Sequence, residues 1–178
     1  MGLPKALVSA EDGTTWGSRA VATLLAGGCA DVVVVVGAQA DRVRQSLPED
    51  PRVQVVQCRA WREGMGASLR AGLTVLAGRG AGVPDTAVVH LVDLPDVGPD
   101  VVSRVLGRAG SSPAALARAA YQGVPGHPVL LGRQHWDPVT RSAGGDQGAR
   151  SYLRTHRPLL VECGDLAAGA DVDRPPAR

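Results

Sequence analysis

The chain has 178 residues, 44% of them hydrophobic, enough for one substantial core, so a single domain over 1–178 is expected. Nineteen Lys and Arg against 17 Asp and Glu leave a net charge of +2, which argues against a nucleic-acid or other polyanion-coating surface. No stretch is long and apolar enough to cross a bilayer, the start lacks a secretion-signal pattern, and three widely spaced cysteines (Cys29, Cys58, Cys163) lack metal-ligand spacing, so reduced thiols in a cytoplasmic protein are expected.

With no Phe and 3% aromatics, the core must be built from Ala, Val, Leu and Gly, which favours close-packed helices over a sheet. Residues 1–7 read as an extended segment or loop, and Glu11-Asp12-Gly13 as a turn. Ser18 is the expected cap of a helix that runs to about Leu25 and ends at Gly27-Gly28. Five β-branched residues, Val32–Val36, form the clearest strand, closed by Gly37. A helix over 38–47, a loop over 48–51 and a strand over 53–57 follow. Residues 61–66 read as a loop, 68–76 as a helix and 78–84 as a second loop. The run 86–93 predicts a buried strand that ends in Asp93 and breaks at Pro95. Pro99 fits the first turn of a helix reaching about Arg108. Residues 114–121 and 129–131 read as an antiparallel pair connected across 123–126. A helix over 148–156, a strand over 159–162 and the tail Asp171-Val-Asp173-Arg-Pro-Pro complete the chain. Alternating strands and helices imply an α/β fold, three layers around a mostly parallel sheet. One feature departs from that pattern: the first clear element is a helix, not a strand.

Several short motifs can carry chemistry. Ligands of open α/β sheets bind beyond the carboxyl ends of the strands, where Asp93 can hold Mg²⁺ against substrate phosphates or can simply cap the next helix. In the loop 63–70, Gly64 and Gly66 admit backbone N–H groups close to a nucleobase or phosphate at a helix N-terminus, or provide an ordinary helix entry with Ser68 near the cap. His127 stands on a stiff Gly-His-Pro turn, suited to donating to a phosphate, to acid–base work, or to a structural bond with a carbonyl. In 145–150, Asp146 is a natural N-cap and Arg150 can face an anion. Asp171 and Asp173 share one face of an extended tail and can complete a Mg²⁺ shell, or serve as polar surface. Lys5, behind Pro4, is a point charge for a polyphosphate or a solvated surface lysine.

The segments Met1-Gly-Leu-Pro-Lys-Ala-Leu7, Val33-Val-Val-Val-Gly37, Gly64-Met-Gly-Ala-Ser-Leu-Arg-Ala-Gly72, Val92-Asp-Leu-Pro95, Gly126-His-Pro-Val129, Gly145-Asp-Gln-Gly-Ala-Arg150 and Asp171-Val-Asp173 span nearly the whole chain. In this order they resemble the molybdenum-cofactor nucleotidyltransferases, the MobA-like NTP transferase family, and its cytidylyltransferase branch most. The resemblance implies a Rossmann-like sheet of the nucleotide-diphospho-sugar transferase type. It also implies a Mg²⁺-dependent transfer of a nucleotidyl group, CTP being the favoured donor, to a phosphorylated pterin-like acceptor, with a molybdoenzyme maturation partner. Asp93 and Asp173 match the metal positions, and Lys5 the triphosphate lysine, so Asp93 and Lys5 are the implied catalytic residues. Gly37, Gly66, Ala67 and Ser68 fall in the nucleotide-binding segments, and His127, Asp146 and Arg150 in those that shape the acceptor side.

The family ordinarily opens with a strand and a Leu-Ala-Ala-Gly-x-x-x-Arg loop before Met-Gly-x-Pro-Lys. This chain begins at the Met-Gly, so the expectation is a fold truncated at its N-terminus, lacking the first strand and main phosphate loop, with weakened nucleotide binding. Two other functions compete. One is an NAD(P)H-dependent oxidoreductase of the nicotine blue oxidoreductase type, against which stands the lack of a GxGxxG after Val36. The other is a non-catalytic accessory protein that binds a nucleotide.

Overall fold

Five consecutive valines leave the backbone little choice: β-branched side chains crowd a helix and fit a pleated strand. In the computed structural model, which describes residues 3–172, Val32–Val36 is strand β1. It pairs in parallel with β2, Val53–Gln57, from Val32 opposite Val53 to Val36 opposite Gln57. Val32, Val34 and Val36 join a cluster with Val21 of α1 (Trp16–Ala26) and Val43 of α2 (Ala40–Ser46). Val35 points the other way, against Gly72 of α3 (Met65–Ala77).

A second sheet holds β3 (Thr86–Val89), β5 (Val124–Gly132), β4 (Leu116–Tyr121) and β6 (Leu159–Glu162), in that spatial order. β5 runs antiparallel to both of its neighbours, and β6 runs parallel to β4, so β5 is the one reversed strand. Its alternation separates two cores. Leu130 packs with Val101 and Val105 of α4 (Pro99–Ala109). Val129 and Leu131 pack with Leu73 of α3, Val139 of α5 (Trp136–Ser142) and Leu153 of α6 (Arg150–His156). The result is a mixed α/β protein with α1, α2 and α4 on one side of the strands and α3, α5 and α6 on the other.

Several local expectations change. The strands form two sheets rather than one: β1 and β2 share no ladder with β3–β6. Among the described residues no strand precedes β1, and the first element is a 3₁₀ turn at Lys5–Leu7. Thr15, not Ser18, caps α1; its hydroxyl accepts from the Ser18 N–H at 3.2 Å, while the Ser18 hydroxyl donates to the Ser46 carbonyl at 2.6 Å. α3 starts at Met65 because Gly64, at φ 103°, ends a 3₁₀ turn over Trp61–Glu63 and releases the chain into the helix. β3 stops at Val89, so Asp93 lies in the following loop and not at the strand's last residue. α5 has no counterpart in the sequence reading; Pro138 hides it, yet proline is tolerated within a first helical turn. α6 begins at Arg150 behind Ala149, so Asp146 does not cap it and instead belongs to a 3₁₀ turn over Gly145–Gln147.

The β4–β5 hairpin turns at Gln122 (φ 52°) and Gly123 (φ 79°), a two-residue loop whose twist suits the strands. Glu162 of β6 fastens it by accepting from the Gln122, Gly123 and Gly164 N–H groups at 2.8, 3.0 and 2.9 Å. Cys29, Cys58 and Cys163 are free thiols. No helix among the described residues is long and apolar enough to cross a membrane.

With no ladder between the sheets, helix packing joins the halves. At the end of α1, a Cβ built on Gly27 would stand 2.5 Å from the Cβ of Val102 in α4. Gly27→Ala should therefore destabilise the protein by about 1–3 kcal/mol through overpacking. Gly107→Ala, in the same helix α4 with nothing within 4 Å, should be neutral or stabilising by up to about 1 kcal/mol. Urea unfolding of both variants checks the pair, and equal midpoints would contradict the assigned contact.

Candidate functional site

The loop after β3 is organised by Asp93. Its side chain is 17% exposed, and Oδ2 accepts from the Lys5 Nζ at 2.7 Å. Lys5 arrives there because Pro4 stiffens the entry to the 3₁₀ turn of Lys5–Leu7. Asp93 is not a helix cap: α4 is preceded by Gly98, opens with Pro99 and has no side-chain cap bond.

The C-terminal segment returns to the same loop. The Val172 N–H donates to the Asp93 carbonyl at 2.9 Å. Upstream, Asp96 accepts from the Ala168 and Gly169 N–H groups at 2.8 and 3.0 Å. Gly169, at φ 66°, lies so close on the Tyr121 ring that a Cβ there would meet a ring carbon at 2.1 Å. The Tyr121 hydroxyl donates to the His127 carbonyl at 2.6 Å. Residues 164–172 thus form a strap tied to the Asp93 loop and, through Tyr121, to His127. The exposed Asp171 is the last acidic residue described; Asp173 lies outside the described residues.

His127 is not on the hairpin turn but in a bulge of β5. Arg118 pairs with Val129 and Ala120 with Pro125, so residues 126–128 face the single residue 119. Bulges re-aim side chains and recur beside functional sites. Arg118 fills the irregularity, its Nε and Nη2 donating to the Gly126 carbonyl at 3.1 and 3.0 Å. Burial foremost, then the Arg118 guanidinium and His90, push the His127 pKa down to about 4, with Asp93 opposing and Arg150 adding to the drop. His90 is lowered to about 4 by burial, again opposed by Asp93, and its Nδ1 is buried without a hydrogen-bond partner among the described residues. Lys5, Asp93, His90, His127, Arg118 and Arg150 therefore share one electrostatic neighbourhood around the C-terminal end of β3 and the β5 bulge.

A second group of expected residues meets at the N-terminus of α3. A Cβ on Gly64 would strike Gly145 and the Asp146 carboxylate at 2.5–2.6 Å, and one on Gly66 would strike Gly144 at 2.8 Å. The glycines at 64 and 66 thus allow two loops to interlock, a role distinct from backbone approach to a ligand. Gly66 and Ala67 are buried in the first turn of α3, and Ser68 is half-buried behind them. Gly37 ends β1 beneath Trp61, whose Cβ and Cγ would lie 2.6 and 2.7 Å from an added Cβ.

Sequence reasoning missed His90 and Arg118. Both carried a signal: each is a lone polar residue inside an apolar run, 87–92 and 116–121. Among the described residues no three His, Cys, Asp or Glu side chains converge to cage a metal. Asp93, partly exposed and ion-paired with Lys5, fits a divalent ion that takes one or two carboxylates and fills its shell from phosphates and water.

Residues 1–159 match the MobA-like NTP transferase domain. The chain is 34% identical over 179 residues to a protein of Paenarthrobacter nicotinovorans named nicotine blue oxidoreductase, covering 96% of this chain and 83% of that one. Its fold is similar to the crystal structure of Rv0371c from Mycobacterium tuberculosis H37Rv in complex with manganese (TM-score 0.68, 25% identity, 91% of this chain and 82% of that one). It is also similar in fold to a nucleotidyl transferase from Methanothermobacter thermautotroptrophicus (TM-score 0.69, 20% identity, 90% and 76%).

The two depressed histidines set a pH dependence. Unfolded imidazole binds a proton near pH 6.5, whereas His90 and His127 resist it until about pH 4. Between those values the unfolded state holds more protons, so their contribution is complete above about pH 6.5 and is lost as pH falls toward 4. Thermal midpoints should drop from pH 7.5 to 5.0, above the range where carboxylates titrate, and His90→Asn should reduce the drop. An unchanged drop in both His90→Asn and His127→Asn would contradict the assignment.

Proposed function

The chain belongs to the MobA-like NTP transferase domain family, and from that premise we propose that it transfers a nucleotidyl group, CMP favoured, from a nucleoside triphosphate to a phosphorylated acceptor of the molybdopterin type. The observation that carries this reading is the Lys5–Asp93 pair at the mouth of β3, with the tail returned beside it. Phosphate chemistry of this kind needs little covalent help; it needs alignment and neutralised charge.

In the reaction, an oxygen of the acceptor phosphate attacks the α-phosphorus. A new P–O–P bond forms, the bond from the α-phosphorus to the oxygen bridging it to the β-phosphate breaks, and pyrophosphate leaves. Lys5 is a point charge for the triphosphate. Asp93 and Asp173 would hold a divalent ion, Mg²⁺ in this proposal, which offsets the charge of the phosphates when bound. Gly37, Gly66, Ala67 and Ser68 serve the nucleoside end. His127, neutral at pH 7, orients the acceptor with Asp146 and Arg150. The proposal takes the chain as one cytoplasmic domain that hands its product to a molybdoenzyme maturation partner.

The relative named nicotine blue oxidoreductase favours a second reading, NAD(P)H-dependent reduction of a quinone-like compound. The same cationic neighbourhood suits a dinucleotide diphosphate. Against it, β1 is followed by Gly37 alone, without the further glycines of a dinucleotide loop.

One assay separates the two. Pyrophosphate release from CTP, with Mg²⁺ or Mn²⁺ and a phosphorylated pterin, is the expected outcome. Asp93→Asn should lower turnover by at least about 100-fold while moving the thermal midpoint by less than about 5 °C. NADPH consumption with a quinone dye, and no pyrophosphate from any nucleoside triphosphate, would replace the transferase with the oxidoreductase.

A further inference from the structure

Arg118 is the only charged residue of β4. It stands in one cross-strand row with Val129 of β5 and, beyond it, Val89 of β3. Directly opposed residues share a face, so Arg118 projects to the side that packs on α3, α5 and α6, where Val129 and Val89 already lie. Arg150, the first residue of α6, comes from that same side. Burial and the Arg150 guanidinium hold Arg118 below its ordinary pKa, so the two cations feel one another.

Neither cation is matched. Among the described residues no carboxylate forms an ion pair with Arg118 or Arg150, whereas seven of the other 14 described arginines are paired with one. Arg118 spends Nε and one Nη2 contact on the Gly126 carbonyl, which fixes the plane of the guanidinium and leaves Nη1 without a hydrogen bond among the described residues. Two neighbouring guanidiniums, one of them half-buried and clamped, with neutral His127 alongside, lack only an anion.

We infer that Arg118 and Arg150 form a seat for a phosphate monoester dianion, separate from the Lys5–Asp93 position. The separation follows from strand order: β5 lies between β3 and β4, so Arg118 is displaced by two strand spacings, about 10 Å, from the line of β3. That distance suits a second phosphate held beside a nucleotide. A guanidinium fork matches a tetrahedral dianion in geometry as well as charge. Naming this phosphate as the acceptor's rests on the nucleotidyl-transfer reading; binding of the anion itself does not.

Inorganic phosphate is the probe. Titration calorimetry of the full chain should show binding that weakens with added salt, and Arg118→Met should weaken it at least about tenfold. Arg118→Lys, which keeps the charge but not the fork, should fall between, and Arg52→Met, in a surface ion pair with Asp50 beside β2, should leave it intact. On the unaltered protein, the Arg118 Nε–H resonance, assigned by its loss in Arg118→Lys, should shift on adding phosphate. A silent Arg118 resonance, or phosphate binding unchanged in Arg118→Met, would overturn the proposal. Retained phosphate binding in a protein that releases no pyrophosphate would keep the seat and remove only its assignment to the acceptor.

Discussion

The contact between Lys5 and Asp93, 2.7 Å long, draws together parts of the chain that are 88 residues apart. It fixes the first turn of the protein onto the loop that follows β3, and that loop in turn receives the C-terminal strap through Asp93 and Asp96. A half-exposed ion pair of this kind contributes little to stability by itself. Its importance lies in position: a cation and an anion are held apart from the core, at the rim where α/β sheets take their ligands.

The surroundings of that pair are tuned by burial. His90 and His127 stay neutral because desolvation outweighs the attraction of Asp93. Arg118 keeps its charge but loses its freedom to the Gly126 carbonyl. The rim therefore combines the Lys5–Asp93 ion pair with a guanidinium of β4, Arg118, held on the β5 bulge. Such a division suits a reaction in which phosphates are held rather than attacked by protein groups.

Much of the fold could be read from residues whose backbone preference is strong. The valine run, the Pro99 helix entry and the hairpin between β4 and β5 follow from local chemistry. Errors arose where tertiary contact decides. Thr15 won the cap from Ser18 because the Ser18 hydroxyl is engaged by Ser46. Gly64 and Gly66 read as a ligand-facing pair, and their missing side chains also make room for Gly144, Gly145 and Asp146, which only the fold reveals. Asp93, His127 and Lys5 were singled out from sequence, and the fold does bring them to one rim. Arg118 escaped notice because a lone arginine in an alanine-rich strand gives only a weak signal until the neighbouring bulge is known.

The central claim is that the mouth of β3 and the returning strap make one seat for a nucleotide's phosphates. Amide chemical shifts of the isotopically labelled chain, followed as CTP and Mg²⁺ are added, test it most directly. The account predicts saturable shifts at Lys5, at 90–96 and at 171–172, with the β2 edge and the hairpin tip at Val124 silent. Shifts confined to those silent places, or none at saturating nucleotide, would contradict it.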